Sequence, residues 1–229
     1  MRRRTKIVAT LGPATAYPEV MAAMMAAGLD VARLNLSHGT HDSHRLQLRL
    51  AREAAAAAGR PLAFMFDLQG PKIRIERFRD GAVTLVEGQR FVLDAELPGD
   101  AGNQDQVGIT YKALPRDVRP GDCLLLADGL IRLEVEKVDG PRILTRVTVG
   151  GLLSGGKGIN RLGGGLSVAA LPDKDREDIR FAAAEGADYL AVSFPKDRRD
   201  IEEARRLLRE AGGRGGIVAK IERQEALEN

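Results

Sequence analysis

Short, continuous apolar runs alternate with amphipathic stretches at both ends of the chain, and a different pattern fills its middle. TKIVATL (5–11), DVARLNL (30–36) and PLAFMFD (61–67) read as strands. Between them PEVMAAMMAAG (18–28) and HDSHRLQLRLAREAAAAAG (41–59) read as helices. Pro18 suits a first helical turn, where its missing N–H costs nothing, and Gly28 and Gly59 suit helix stops. In the second helix Leu46 and Leu50 lie one turn apart and are expected to share a face. Continuous apolar strands separated by helices predict a parallel sheet covered on both sides. From about Ile75 to Leu166 no helix is expected. AVTLVEG, QRFVLDA, CLLLADG, LIRLEVEKVDG and PRILTRVTVG are short strands broken by Gly, Pro and Asp, and the glycine-heavy GGLLSGGKGINRLGGG closes the region. The βα rhythm then returns. LPDKDREDIRFAAAEG (171–186) and DRRDIEEARRLLREAG (197–212) read as helices, the second capped by Asp197 and carrying a Glu202–Arg206 pair. DYLAVSF (188–194) and GIVAKIE (216–222) read as strands four and five.

The expected organisation is therefore a βα domain over 1–74 and 167–229, interrupted by an all-β insertion over 75–166. Setting the insertion aside leaves about 137 residues and five strands, against roughly 250 residues and eight strands in a complete (β/α)8 barrel. Periodicity alone leaves two architectures open: part of such a barrel, or an open doubly wound sheet.

Composition narrows the chemistry. The formal net charge is only +3, aromatics make up 4% and Trp is absent, so there is little to stack or steer nucleic acid. No apolar run is long enough to span a bilayer, and the basic start lacks the apolar core of a secretory signal. The single Cys123 excludes an intrachain disulfide framework and predicts a reducing, cytoplasmic setting; in an apolar strand it is expected to be buried and inert. Anionic small molecules remain as partners.

Polar residues gather at the C-terminal ends of the strands, the catalytic face in βα-barrel enzymes. Arg33, Asn35 and Ser37 alternate along strand two, Asp67 ends strand three, Ser193 ends strand four, and Lys220 and Glu222 alternate at the end of strand five. One such residue means little at a solvated strand end. Four strand ends of five supplying them point to a shared site. Taken singly, the bland readings stand: Lys220–Glu222 as a surface ion pair, His38 as a helix-cap partner, Lys157 as a loop lysine, Asp128 as a turn residue. His41 and His44 are expected on a solvated helix start.

TKIVATLGPAT, ARLNLSHGTH, DLQGPKIR, ADGLI, KGIN, YLAVSF and AKIER occur in the order and spacing of the pyruvate kinases, and essentially the whole chain resembles that family. The resemblance favours a partial TIM (β/α)8-type barrel, five strands of eight, with a β-rich lid inserted after strand three. It implies phosphoryl transfer from phosphoenolpyruvate to ADP, giving pyruvate and ATP. By motif match, Lys220 would stabilise charge on the phosphoryl group, Arg33 would grip the substrate phosphate, and Glu222 would ligate Mg²⁺ or Mn²⁺. Asn35, Ser37, Asp67 and the Leu68 carbonyl would line a monovalent-cation site. Asn35, His38, Arg74 and Lys157 would lie along the nucleotide phosphates, with Asp128 facing the cleft. Family members with Glu at the position of Lys72 need K⁺; the lysine resembles the K⁺-independent type. An ammonium about 4 Å from a carboxylate at an effective dielectric near 20 gains roughly 4 kcal/mol before desolvation, enough to stand in for the cation. The resemblance also implies a homo-oligomeric complete enzyme and no nucleic-acid or membrane partner. The chain ends before the family's second metal carboxylate, so a fragment or truncated product, inactive alone, is expected. The alternative is a non-catalytic module or pseudoenzyme that binds phosphate ligands.

Overall fold

The computed structural model describes residues 4–71 and 73–229. The chain separates into two compact units: Met1–Pro71 with Ala170–Asn229, and Lys72–Ala169. The first unit opens with β1 (Val8–Leu11), α1 (Pro18–Ala27), β2 (Val31–Asn35), α2 (His41–Ala57) and β3 (Ala63–Asp67). Pro18 occupies the first turn of α1, and Gly28 closes it in the left-handed region at φ 100°. Thr40 caps α2 through its hydroxyl, which accepts from the Ser43 amide.

The second unit carries β4 (Ala82–Leu85), β5 (Arg90–Asp94), β6 (Gln106–Gly108), a one-turn helix α3 (Leu114–Asp117), β7 (Cys123–Leu126), β8 (Ile131–Asp139), β9 (Arg142–Val149), β10 (Gly151–Ser154) and β11 (Ile159–Arg161). Six strands form a sheet in the order β11-β7-β8-β9-β5-β6, and β4 pairs with β10. Along β8, Ile131, Leu133 and Val135 are buried while Arg132, Glu134 and Glu136 face out, the alternation of a half-buried sheet. This unit has its own core, centred on Phe91, Leu93, Val107, Leu124, Leu133 and Ile143. α3 departs from the all-strand expectation: Leu114 is fully buried and anchors a turn that periodicity is too short to reveal. Cys123 is half-buried rather than buried.

The chain then returns to the first unit as α4 (Asp173–Ala184), β12 (Tyr189–Val192), α5 (Arg198–Glu210), β13 (Gly216–Ala219) and α6 (Gln224–Glu228). Its sheet is wholly parallel in the order β1-β2-β3-β12-β13. Each strand lies beside the strand of this unit that precedes it, with no reversal of direction across the sheet. A doubly wound sheet has such a reversal at its switch point. This order is that of a barrel wall, so the unit is a five-strand part of a βα barrel. Ala32, Leu34, Phe64, Phe66, Leu190 and Val192 bury one face with the helices. Alternation turns Arg33, Asn35 and Asp67 to the other face.

The shared face of Leu46 and Leu50 is not the buried one, and the pair expected on the later helix is replaced by others. The buried face of α2 is His44, Gln47, Leu48 and Ala51, while Leu46 is 43% exposed. On α5, Asp197 caps the helix through Arg199, but Glu202 pairs with Arg198, and Arg206 takes Glu203 and Glu210. Several acceptors lie within reach of each arginine on so charged a helix.

Candidate active site

Asp67 ends β3 and is 2% exposed. Parallel pairing sets Asn35 beside it on one side and Ala191 on the other. Arg33, two residues before the end of β2, donates to Asp67 Oδ2 from Nε at 2.8 Å and from Nη2 at 2.5 Å. Its Nη1 donates to the Thr10 hydroxyl at 2.6 Å, on the strand paired with it. Lys220, one residue past β13, places Nζ 3.2 Å from Asp67 Oδ1, donates to Ser193 Oγ at 2.7 Å, and lies 3.5 Å from Glu222 Oε1. Ser193 in turn donates to the Leu68 carbonyl at 2.7 Å. Two cations thus converge on one buried carboxylate, which leaves that acid balanced and both cations fixed in direction.

The loops that make this approach possible are tight. Gly70 has φ 67°, and a Cβ there would lie 2.8 Å from the Ser193 Cβ. Only glycine gives both the left-handed turn and the close approach. Phe194 follows Ser193 at φ 55°, an uncommon conformation for a bulky residue, and its amide donates to Glu222 Oε2 at 3.2 Å. After β2, Asn35 Oδ1 accepts the Ser37 amide at 3.1 Å and the Asn35 carbonyl accepts the His38 amide. The expectation for the histidines changes here. His44 is buried and reaches the His38 carbonyl through Nε2 at 2.9 Å, and His41 Nε2 reaches Asp178 Oδ1 at 2.7 Å. The α4 residue Asp175, fully buried, accepts the Gln69 and Gly70 amides at 3.1 and 2.8 Å. Burial pushes its carboxyl up to about 6; Asp178 adds to the rise, and the two amides and Lys174 oppose it.

In the second unit, Arg74 donates from Nη1 to the Gly156 carbonyl at 2.7 Å, and its backbone bridges Gly158. The Lys157 carbonyl accepts the Ile75 amide, and the turn that carries Asp128 joins the same stretch through Ala127 N to Gly158 O. Ala127 and Asp128 both hold positive φ, 50° and 59°. Arg74, Lys157 and Asp128 therefore gather around Gly156–Gly158 within that unit. Lys72 lies outside the described residues.

Among the described residues no group of three or more His, Cys, Asp or Glu is placed to hold a metal ion. Glu222 supplies a single carboxylate, shared with Lys220 and the Phe194 amide. These residues do not by themselves form a divalent-metal site. The proposed monovalent ligands Asp67, Leu68 O and Asn35 Oδ1 each already accept from donors of the chain.

Sequence reasoning did not single out Thr10, Lys174 or Asp175. Thr10 meets Arg33, Lys174 meets the Leu36 carbonyl and Asp175 meets the Gln69 and Gly70 amides 23 to 138 residues away in the chain, contacts that only the fold brings together.

Residues 2–229 match the family model "Pyruvate kinase, barrel domain". The chain is 53% identical over 225 residues to pyruvate kinase II of Salmonella typhimurium, covering 98% of this chain and 47% of that protein. It is 51% identical over 227 residues to the pyruvate kinase of Haemophilus influenzae (99% and 48%) and 40% identical over 229 to that of Mycobacterium tuberculosis (100% and 48%). The chain spans about half the length of these curated relatives. A parallel sheet in barrel order, interrupted by a β-rich unit after its third strand, and a match along nearly every residue lead to one conclusion: the chain belongs to the pyruvate kinase family, in its barrel domain.

Proposed function

We propose that the chain carries the phosphoryl-binding part of a site that moves the phosphoryl group of phosphoenolpyruvate to ADP, yielding pyruvate and ATP in the last step of glycolysis. The observation that carries this reading is the convergence of Arg33 and Lys220 on Asp67 at the strand ends. Phosphoryl transfer asks for positioning and charge stabilisation rather than covalent help. Arg33 grips the substrate phosphate with its planar fork, and Lys220 supplies a compact charge to the group in flight. Asp67 holds both donors in register before the anion arrives. Asn35 and His38 are the nucleotide-phosphate candidates of the first unit, and Arg74, Lys157 and Asp128, gathered around Gly156–Gly158, are those of the second, each set read within its own unit. The reaction calls for a divalent cation, Mg²⁺ or Mn²⁺. Glu222 would offer it one carboxylate.

On this reading K⁺ is not required. Asp67, the anionic member of the monovalent set, already faces two cations of the chain, and Lys72 brings a third positive charge within five residues in the sequence. Lys72→Glu is expected to make phosphoenolpyruvate binding depend on K⁺. Among the described residues no helix is long and apolar enough to cross a membrane, and we place the reaction in the cytoplasm, in a homo-oligomeric complete enzyme without nucleic-acid or membrane partners. A second reading, a phosphate-ligand binding module without turnover, draws on the single metal carboxylate.

Phosphoenolpyruvate titrated onto the 229-residue chain, followed by pyruvate formation with ADP and Mg²⁺ with and without K⁺, separates these readings. Binding that weakens roughly 30-fold in Arg33→Leu supports the assignment, the loss of about 2 kcal/mol expected of a charge-assisted contact. Turnover supports the enzyme reading, and binding without turnover the module. Binding indifferent to both Arg33→Leu and Lys220→Met overturns both.

A further inference from the structure

The first turn of α4 makes two contacts of opposite polarity with two different strand-end loops. Lys174 Nζ donates to the Leu36 carbonyl at 2.8 Å and to Asp178 Oδ2 at 2.5 Å. Asp178 is buried, and its other oxygen holds His41. One residue along, the two oxygens of Asp175 take the Gln69 and Gly70 amides. The loops are also tied to each other, since the Leu36 amide donates to the Asp67 carbonyl at 2.9 Å. A helix turn and two loops thus form a closed triangle of hydrogen bonds beneath the residues that carry the candidate site.

We infer that Lys174 and Asp175 are positioning residues: they fix the loops 35–38 and 67–70, and through them the directions of Asn35, Ser37, His38, Asp67 and Leu68. The functional consequence rests on the phosphoryl-transfer reading above; the mechanical one does not. An ordinary i, i+4 helix pair explains Lys174–Asp178 only in part, because exposed pairs of that kind leave their carboxylate in water. Here the carboxylate is buried, and the ammonium is turned onto a carbonyl 138 residues away. Nor does Asp175 serve its own helix terminus, since both its oxygens take amides more than 100 residues distant. The placement has a further logic. The chain leaves the first unit after Pro71 and re-enters it at Ala170. Asp175 therefore stitches the last glycine before the exit to the first helix after the return. A charged contact site needs its donors placed to within a fraction of an ångström, and small displacements of such groups lower binding and rate steeply.

The test uses Lys174→Met, Lys174→Arg and Asp175→Asn in the 229-residue chain, with amide hydrogen exchange and phosphoenolpyruvate titration as readouts. Asp175→Asn is expected to speed exchange at Gln69 and Gly70 by about tenfold more than at Leu190 in the middle of the sheet. Lys174→Met is expected to do the same at Leu36–His38 and to weaken phosphoenolpyruvate binding about tenfold, while Lys174→Arg restores both. Lys174 is half-exposed, so its variants decide the matter if Asp175→Asn does not fold. Faster exchange spread evenly over the unit, or no change at either loop, overturns the inference. If the unaltered chain shows no phosphoenolpyruvate binding, the functional reading fails, and loop-specific exchange still decides the positioning role.

Discussion

The polar positions at the strand ends were legible because a strand's period of two and a barrel's polarity apply to single residues. Arg33, Asp67, Ser193 and Lys220 could be named from the chain, and the sheet order puts them side by side. What the chain could not show is which acid receives which cation. Lys72 stands nearest Asp67 in sequence, yet the cations within reach of Asp67 among the described residues come from β2 and from the end of β13. Gly70 is a case where the residue type can be tested directly. Its left-handed φ and the 2.8 Å approach to Ser193 combine conformational strain with a collision. Gly59, at φ 57°, has open space around it. Gly59→Ala is expected to cost about 1 kcal/mol, the strain alone, and Gly70→Ala roughly 2–4 kcal/mol, with the collision added. Urea denaturation of the two variants checks the difference. Equal costs would mean that the Ser193 approach is not tight.

At the scale of elements, every long helix was foreseen to within a few residues, but its buried face was not always. α2 shows why. Its inward stripe is 44, 47, 48 and 51, a regular helical spacing, yet two of its four members are His and Gln. A pattern search counts those as polar and picks the apolar pair Leu46 and Leu50 instead. The buried histidine is there because it holds the His38 carbonyl, a local constraint of the loop that opens the helix. Leu48→Ala is expected to destabilise the unit by about 2–4 kcal/mol, because the side chain is fully buried, and Leu46→Ala by less than about 1 kcal/mol. Thermal or chemical unfolding of the pair checks the assignment of faces; similar effects would place Leu46 in the core. The short strands β6, β10 and β11 and the one-turn α3 escaped notice for a simpler reason: three or four residues do not establish a period.

For the whole molecule, the two textures of the sequence correspond to two cores, and the change of period near the third strand end was enough to see it. The ties that close the first unit on itself were hidden, since they depend on acids buried far from their partners in the chain. Asp175 gives that closure a pH signature. Its carboxyl, ordinarily near 3.8, stands at about 6 in the folded unit because burial disfavours the charged form more than the Gly70 and Gln69 amides and Lys174 favour it. Between those two values the folded chain holds a proton that the unfolded chain has released. Stability from this group is therefore fully present below about pH 4 and is lost as pH rises toward 6 and above. The difference between 3.8 and about 6 corresponds to on the order of 3 kcal/mol. Other carboxylates titrate in the same range, so the comparison is with Asp175→Asn, which cannot ionise. The stability of the unaltered chain minus that of the variant is expected to fall by that order between pH 4 and pH 7, read from urea midpoints at each pH. A difference that stays level would show that the carboxyl titrates in the folded chain as it does in the unfolded one, the two amides and Lys174 offsetting burial; a difference that rises would mean that they outweigh burial and hold the carboxylate below its ordinary range.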